Sequence, residues 1–461
     1  MDLNDYIRSI RDKNICVIGA GISNRPFIRL LLLSGCSVTV CDMKEPAQLT
    51  QDDLDLISLG AHYKLGEDYL NDLSFDLIFR TPGLMPFDPH LAEARRNGSE
   101  VTSEMEVFFK LCPCRTIAVT GSDGKTTTTT IISELLRHEG YTVHLGGNIG
   151  KPLLCELPFM KEGDFAVLEL SSFQLHSMFC RPDVALITNI SPNHLDKHID
   201  FRDYIEAKKN IFRHQNGEAR LVLNADDELC YGFREEAPAA SVCFSVSAPV
   251  DNGYYLKNGE IFRAENGTSV MVMPASSIAI PGIHNVANYL AAFCAVDPYV
   301  GNESCRYVAK NFSGVEHRLE IVRRLRGVTY INDSIGTSPS RTIAGLRALD
   351  RKPLLILGGY DKHLDFSELG NEVCRRAKAV FLTGATAEKI RKAVVSSSLY
   401  DENKLPVILE KDFYTCVNKA FASAEEGDTV LLSPACAAFD SFRNFEERGR
   451  TFKQMVMELP E

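Results

Sequence analysis

The sequence predicts an α/β protein of three domains, each a mostly parallel sheet with helices on its faces. Three observations predict this. Short apolar runs close repeatedly on polar or Gly-containing turns and pass into helical segments, the alternation that parallel strands with helical crossovers produce. The 461-residue length exceeds what one core accommodates, since domains run to roughly 100–200 residues. A hydrophobic content of 45% against 24% charged residues, without repeats or low-complexity tracts, is that of a chain able to bury several cores.

Taken in order, Asn14–Ile18 is a strand that leads into Gly19-Ala20-Gly21 and a helical segment, Pro26–Leu33. Ser37–Cys41 is the next strand, ending at Asp42, and Phe75–Phe79 another, ending in Thr81-Pro82-Gly83. The turn Gly19-Ala20-Gly21-Ile22-Ser23-Asn24 is a dinucleotide fingerprint without its last glycine, and Asp42 stands where such folds place an acid for ribose. By pattern alone this is a nicotinamide-nucleotide site. A second block starts at Thr116–Val119 and continues through Phe165–Leu170, Val184–Asn189 and Leu221–Asn224. A third comprises Val328–Ile331, Leu354–Leu357, Val380–Leu382 and Thr429–Leu432, which close on Asn332-Asp333-Ser334, Gly358-Gly359, Gly384 and Ser433-Pro434. Boundaries near Ser103 and Ser313 divide the chain into 1–103, 104–313 and 314–461. In open α/β sheets ligands bind beyond the carboxyl ends of the strands, so the closing turns are where chemistry is expected.

Composition excludes several classes. Acidic residues outnumber basic ones, 61 to 50, and the net charge of −11 argues against nucleic acid as partner. The N-terminus, Met1-Asp2-Leu3-Asn4-Asp5, is acidic and unlike a signal peptide, and no apolar run approaches the roughly 20 residues of a membrane span. A cytoplasmic location without membrane insertion is expected, and a monomer, since nothing in the sequence identifies an interface. Fourteen cysteines lie scattered from Cys16 to Cys436; Cys112-Pro113-Cys114 is the only close pair, and no second pair completes a zinc spacing. They read as buried free thiols.

The strongest local signal is Thr120-Gly121-Ser122-Asp123-Gly124-Lys125-Thr126, placed between a strand and the helical run Thr127–Arg137. Glycines let backbone N–H groups curl round an anion, and a helix N-terminus adds its dipole. Lys125 supplies a cation to the outer phosphates of ATP, and the Thr126 hydroxyl suits magnesium. The usual motif sets its first glycine five residues before the second; here Val119 occupies that position and Gly121 lies only three before Gly124. The alternative, a Gly-rich turn on a surface helix, fits the strand–helix context less well. A phosphate loop does not say what the phosphate is used for.

Further motifs follow: Gly146-Gly147-Asn148-Ile149-Gly150, Leu168-Glu169-Leu170-Ser171-Ser172-Phe173-Gln174-Leu175, Asn189 to Asp196, Gly282-Ile283-His284-Asn285-Val286-Ala287-Asn288, Glu316-His317-Arg318, and Leu432-Ser433-Pro434-Ala435-Cys436-Ala437. In this order they resemble the Mur ligases of peptidoglycan synthesis across essentially the whole chain, and Ser171–Leu175 resembles the branch that adds D-glutamate. The resemblance implies Rossmann-like outer domains, for the UDP substrate and the amino acid, around a central mononucleotide-binding domain of the P-loop ATPase type. It implies ATP-dependent, ADP-forming ligation of D-glutamate to UDP-N-acetylmuramoyl-L-alanine through an acyl phosphate and a tetrahedral intermediate.

Each residue also has its own chemistry. Glu169 ends a buried strand, where a carboxylate is costly unless paired; the resemblance implies that it completes a magnesium site with Thr126. His194, in a polar turn, is by itself as much a hydrogen-bonding residue as a ligand; the resemblance puts it at a second magnesium. On a helix through Tyr204, Ile205, Ile211 and Phe212, Lys208 falls at the centre of the apolar face and Lys209 at its edge. Desolvation lowers such an amine's pKa, and a neutral amine reacts with carbon dioxide. The resemblance implies a carbamylated Lys208 whose oxygens bind the second magnesium; snorkelling to water is the plain alternative. It also implies nucleotide contacts from Gly121, Ser122, Asp123, Gly124, Lys125, Thr126, Thr127, Asn285, Asn288, Arg318 and Asp333. Helix capping is the alternative for Asn285. Ser23, Asp42, Gly83, Asn148 and Ser171 match positions that hold the UDP substrate, and Thr337, Lys362 and Phe445 match positions for D-glutamate. Two departures concern the amino acid: Ile335 stands where many relatives carry lysine, and Ala438 where they carry serine. Rival readings are another Mur-type or folylpolyglutamate-type ligase, an oxidoreductase using Gly19–Asn24, and a non-catalytic nucleotide-binding regulator.

Overall fold

Strands β1 (Ile15–Ile18) and β4 (Leu77–Phe79) are buried at every residue, as the inner strands of a sheet covered on both faces must be. With β2 (Val38–Asp42), β3 (His62–Leu65) and β5 (Glu100–Thr102) they form a parallel sheet in the order β3-β2-β1-β4-β5. The computed structural model describes residues 1–460 apart from Ile22, Leu195, Asp196, Lys362 and His363. Strand order reverses at β1, so the turns after β1 and β4 face the crevice where such sheets bind ligands. Gly19 opens the first turn at φ 81°, donating its N–H to Cys41 O, and Asp42 accepts from the Ala20 N–H at 3.0 Å.

The second sheet has nine strands: β6 (Arg115–Thr120), β7 (Val143–Gly147), β8 (Phe165–Glu169), β9 (Val184–Ile187), β10 (Arg220–Asn224), β11 (Ala240–Ser245), β12 (Gly253–Lys257), β13 (Glu260–Glu265) and β14 (Thr268–Pro274). Their order is β14-β13-β12-β11-β10-β9-β6-β8-β7, parallel from β7 to β12. β13 and β14 pair antiparallel, a meander that the sequence analysis, which placed no strands over 225–281, did not include. Its turns are Asn258-Gly259 and Asn266-Gly267, all four at positive φ. Asn-Gly between β-prone runs is a strong hairpin signal, because those residues tolerate the left-handed backbone that matches strand twist.

The third sheet comprises β15 (Glu320–Leu325), β16 (Val328–Asn332), β17 (Leu354–Gly358), β18 (Ala379–Thr383), β19 (Val407–Leu409) and β20 (Thr429–Leu432), in the order β15-β16-β20-β17-β18-β19. It is parallel except for the hairpin β15–β16. The chain divides into two compact units, Met1–Phe312 and Ser313–Glu461. Within the first, one apolar cluster reaches from Leu3 to Phe233 and includes Met105, Val107, Phe108 and Leu111 of helix Glu104–Leu111, so the first two sheets share a core. Ser103 caps this helix, accepting the Glu106 N–H. Buried Glu104 accepts from the Leu154 N–H, and burial pushes its pKa up to about 7. No helix among the described residues is long and apolar enough to cross a membrane. All fourteen cysteines are free, and ten of them are buried.

In the second unit Arg448, only 2% exposed, lies in helix Phe445–Met457. It donates to Ser334 Oγ at 3.0 Å, Ser334 O at 3.0 Å, Cys436 O at 3.0 Å and Ala437 O at 3.2 Å. One guanidinium therefore ties together the turns that close β16 and β20. Arg448→Met removes these bonds and leaves buried carbonyls unpaired, with an expected loss of about 3 kcal/mol. Urea unfolding checks this; a loss under about 1 kcal/mol would show that the turns hold without it.

Candidate active site

The site is built where β6 meets helix Lys125–His138. Gly121, at φ 145°, follows the strand, and Gly124, at φ 79°, caps the helix. A Cβ on Gly121 would collide with Thr188 Oγ1, and one on Gly124 with Asn288 Oδ1, so both positions require glycine. Residues after β9 brace the loop. Ser122 N–H donates to Asn189 O at 2.9 Å, and Ser122 Oγ donates to Ser191 O at 2.9 Å and lies 2.8 Å from Tyr204 OH. Asp123 N–H donates to Asn189 Oδ1 at 2.9 Å, while Thr188 Oγ1 donates to Asp123 O at 2.6 Å. The first N–H groups of the helix have no intrahelical partner and, with the helix dipole, form an anion site of the kind that takes nucleotide phosphates. Lys125 Nζ lies over the loop, donating to Gly121 O at 2.9 Å and Ser122 O at 2.8 Å.

Glu169, 2% exposed at the end of β8, meets this helix. Its Oε2 accepts from Thr126 Oγ1 at 2.7 Å and its Oε1 from Asn148 Nδ2 at 2.8 Å. A hydroxyl and a carboxylate beside a phosphate-type loop are the hard oxygen donors that magnesium takes, so the residues present fit that ion.

Lys208 comes from helix Phe201–Arg213, is 1% exposed, and donates to Gly121 O at 2.8 Å and Thr120 Oγ1 at 3.3 Å. Burial, then the neighbouring Lys125 charge, push its pKa well below the ordinary lysine value. Lys209, expected at the edge of the apolar face, is also buried. It pairs with Glu206 and Glu236, so its charge is compensated, whereas the partners of Lys208 are neutral oxygens. His194 sits in the turn after β9 at φ 55°, its ring 5.1 Å from that of Phe173.

The remaining expected residues fall in three places. Asn288, in helix Ile283–Val296, packs beside the loop at Gly124: its Oδ1 accepts from Thr128 Oγ1 at 3.2 Å and its Nδ2 donates to Asn285 Oδ1 at 3.3 Å. Asn285 bonds back to Pro281 O at 2.6 Å, beside the helix start at Ile283. Asp42 ends β2, Ser23 and Gly83 lie in turns at the carboxyl end of the first sheet, and Ser171 caps the short helix Ser172–Leu175. In the second unit, Asp333 is 4% exposed and accepts from Ser433 Oγ at 2.6 Å and Leu319 N–H at 3.2 Å. Burial pushes it up to about 6, against these bonds and the charges of Arg318 and Arg341. Phe445 O accepts from Ser334 Oγ at 2.8 Å, and the Phe445 ring lies 6.0 Å from that of His317. Thr337 N–H donates to Ile335 O, and Ala438 is buried. Lys362 lies outside the described residues.

Sequence reasoning named the Asn189–Asp196 segment but missed Thr188, Asn189 and Tyr204 as the braces of the loop. Polar residues just beyond a buried parallel strand were the available signal for the first two.

A glycine loop between strand and helix, an inward lysine and a hydroxyl–carboxylate pair define a P-loop nucleotide-binding protein. A family model described as the Mur ligase middle domain matches residues 119–296, and one described as Mur ligase, glutamate ligase domain, matches residues 317–436. A protein of Acetivibrio thermocellus named UDP-N-acetylmuramoylalanine--D-glutamate ligase is 46% identical over 457 residues, covering 98% of each chain. One of the same name from Clostridium botulinum is 45% identical over 451 residues, again 98% of each. Among solved structures, MurF from Acinetobacter baumannii has a TM-score of 0.58 at 17% identity, covering 96% of this chain and 90% of that one. A Thermotoga maritima MurF ligase in complex with ADP has a TM-score of 0.51 at 18% identity, covering 98% of this chain and 97% of that one. The chain belongs to the Mur ligase family, and is an ATP-dependent, ADP-forming acid–amino-acid ligase.

Two predictions follow from the buried charges. Because Lys125 also donates to Gly121 O, Lys208→Met orphans little and removes a buried amine; its melting temperature is expected at or above that of the unaltered chain while turnover falls at least about 100-fold. A lower melting temperature would mean that the amine is structural. For Asp333 the folded pKa, about 6, lies above the unfolded value, so stability is lost as pH rises from about 4 to about 6. Asp333→Asn should therefore stabilise the second unit by up to ~3 kcal/mol at pH 8, a gain that disappears by pH 4. Denaturation across pH checks this; a gain independent of pH would refute it.

Proposed function

We propose that this chain joins D-glutamate to the free carboxylate of UDP-N-acetylmuramoyl-L-alanine in peptidoglycan precursor synthesis in the cytoplasm, acting as a monomer. The observation that carries the ligase chemistry is the Thr126–Glu169 pair beside the braced loop. The identity of the amino acid and its acceptor is supported by the full-length relatives at 45–46% identity.

A carboxylate oxygen of the acceptor attacks the γ-phosphorus of ATP, ADP leaves, and an acyl phosphate forms. The D-glutamate amine then attacks the acyl carbon through a tetrahedral intermediate, inorganic phosphate leaves, and the nitrogen loses its proton as the amide forms. Two anions and an amine must be brought into line, a task for cations and positioning rather than for an acid–base pair. The loop Gly121–Thr126, with Thr127, holds the phosphates, and Lys125 meets the charge that develops on the transferred group. Thr126 and Glu169 hold one magnesium ion; His194 and a carbamate on Lys208 hold the other. Bound magnesium supplies neutralisation of the phosphate and carboxylate charges. The depressed pKa of Lys208 favours the carbamate, since the neutral amine is the form that adds carbon dioxide.

Asn285 and Asn288 are assigned to the adenine, and Arg318 and Asp333 to the nucleotide as well. Ser23, Asp42 and Gly83 in residues 1–103, with Asn148 and Ser171 in 104–313, hold the UDP substrate. Thr337, Lys362 and Phe445 hold D-glutamate.

ADP and phosphate release should require ATP, magnesium, UDP-N-acetylmuramoyl-L-alanine and D-glutamate together, and Lys125→Ala should lower it about 100- to 1,000-fold. Release with L-lysine in place of D-glutamate would keep the chemistry and move the specificity. No release with any amino acid would overturn the proposal.

A further inference from the structure

His198 has no part in the chemistry described above, yet it is 4% exposed and both of its ring nitrogens are engaged. Nε2 lies 2.9 Å from Ser172 Oγ, and Nδ1 lies 2.7 Å from Asp203 Oδ2. The other carboxylate oxygen of Asp203 lies 2.8 Å from His176 Nε2. Ser172, His198, Asp203 and His176 thus form one continuous chain of hydrogen bonds. Burial raises the Asp203 pKa, but the bonds from His198 and His176 outweigh it and keep the carboxyl below its usual range, so both imidazoles act as donors to an anion.

This chain bears on His194 by two routes. The ring of Phe173, next to Ser172, stacks on His198 at 5.3 Å and 12°, and is itself 5.1 Å from the His194 ring. The backbone N–H groups of Lys197 and His198 both donate to His194 O, at 3.1 and 3.0 Å. His194 is a non-glycine residue at φ 55°, a conformation that costs about 1 kcal/mol and persists only where its surroundings fix it. Asp203 stands on the same helix as Lys208, five residues ahead, so the chain fastens the His194 turn to the helix that carries the buried lysine.

We propose that His198, oriented by Asp203 and Ser172, is a positioning residue that fixes the His194 turn and ring for magnesium; the inference rests on the reading of His194 as a ligand given above. A metal site at the cluster itself is the competing idea, since His176, His198 and Asp203 each offer a ligand atom and these atoms lie within 4.8 Å of one another. The nitrogen–oxygen separations of 2.7 and 2.8 Å are hydrogen-bond lengths, shorter than the roughly 3.3 Å between two ligands of a tetrahedral ion.

The test uses the full chain in the ligase assay, with the magnesium concentration for half-maximal rate, kcat and the KM for D-glutamate as readouts. His198→Phe keeps a ring against Phe173 and removes both hydrogen bonds; Asp203→Asn keeps shape and removes the shared anion, and serves if the first variant does not fold. Each is expected to raise the magnesium requirement at least 10-fold and lower kcat about 10- to 100-fold, with the KM for D-glutamate within about 2-fold. An unchanged magnesium requirement in folded His198→Phe or Asp203→Asn, while His194→Ala raises it, would overturn the inference and leave the ligand reading intact. An unchanged requirement in His194→Ala would overturn the ligand reading itself. Stoichiometric zinc binding by the unaltered chain that is lost in His176→Gln would also overturn the inference, making the cluster a metal site.

Discussion

The close approach of backbone to side chain at Gly121 and Gly124 is the constraint on which the site depends. Thr188 Oγ1 and Asn288 Oδ1 occupy the space a Cβ would need, so the loop lies directly against the end of β9 and the helix that starts at Ile283. That seating lets Thr188 and Asn189 bond the loop and turns Gly121 O toward Lys208. A side chain at Gly121 would meet Thr188 and one at Gly124 would meet Asn288, each on a backbone at positive φ. The tolerance lost there is returned as rigidity, which a phosphate-binding loop needs because its N–H groups must be aimed before the anion arrives.

Around this loop the protein buries two ionisable side chains, Glu169 and Lys208, against neutral hydrogen-bond partners. Among the described residues the donors to Glu169 are neutral, Thr126 and Asn148, and the hydrogen-bond partners of Lys208 are neutral oxygens. Some other buried charges are paired: Lys209, beside Lys208, has two carboxylates, and Asp53 has Arg25 and Lys44. Uncompensated buried groups are destabilising. Glu169 and Lys208 meet the loop at the carboxyl ends of β6 and β8, and in the Ser172–His198–Asp203–His176 chain beside it each member has a hydrogen-bond partner.

Much of this was legible from residue order. Apolar runs ending in Gly or Asn located the three sheets and the loop because parallel strands covered on both faces are continuous in hydrophobicity. The centring of Lys208 on an apolar face was visible because helical periodicity fixes direction over one element. What was not legible depends on distance in space. Lys209 looked like an edge residue because its partner Glu236 lies 27 residues away, and Tyr204 looked like core because its hydroxyl meets Ser122 only in the fold. The meander β12–β14 was missed for a different reason: its two Asn-Gly turns were present in the sequence, but the strand assignment of the second block stopped at Asn224.

Ile335 and Ala438 show how far such a reading extends in the second unit. The backbone around Ile335 is fixed by neighbours, with its N–H donating to His317 O, Asp333 held by Ser433 and Leu319, and Ser334 bonded to Arg448 and Phe445. None of these bonds uses the Ile335 side chain. A lysine or an isoleucine there changes the local charge and leaves the shape of the turn alone. The same holds at Ala438, where the preceding carbonyl, Ala437 O, is held by Arg448 whatever the next side chain is. The two departures therefore bear on how an anionic amino acid is attracted, and the scaffold that would position it is built from backbone groups and one buried arginine that motif comparison did not single out.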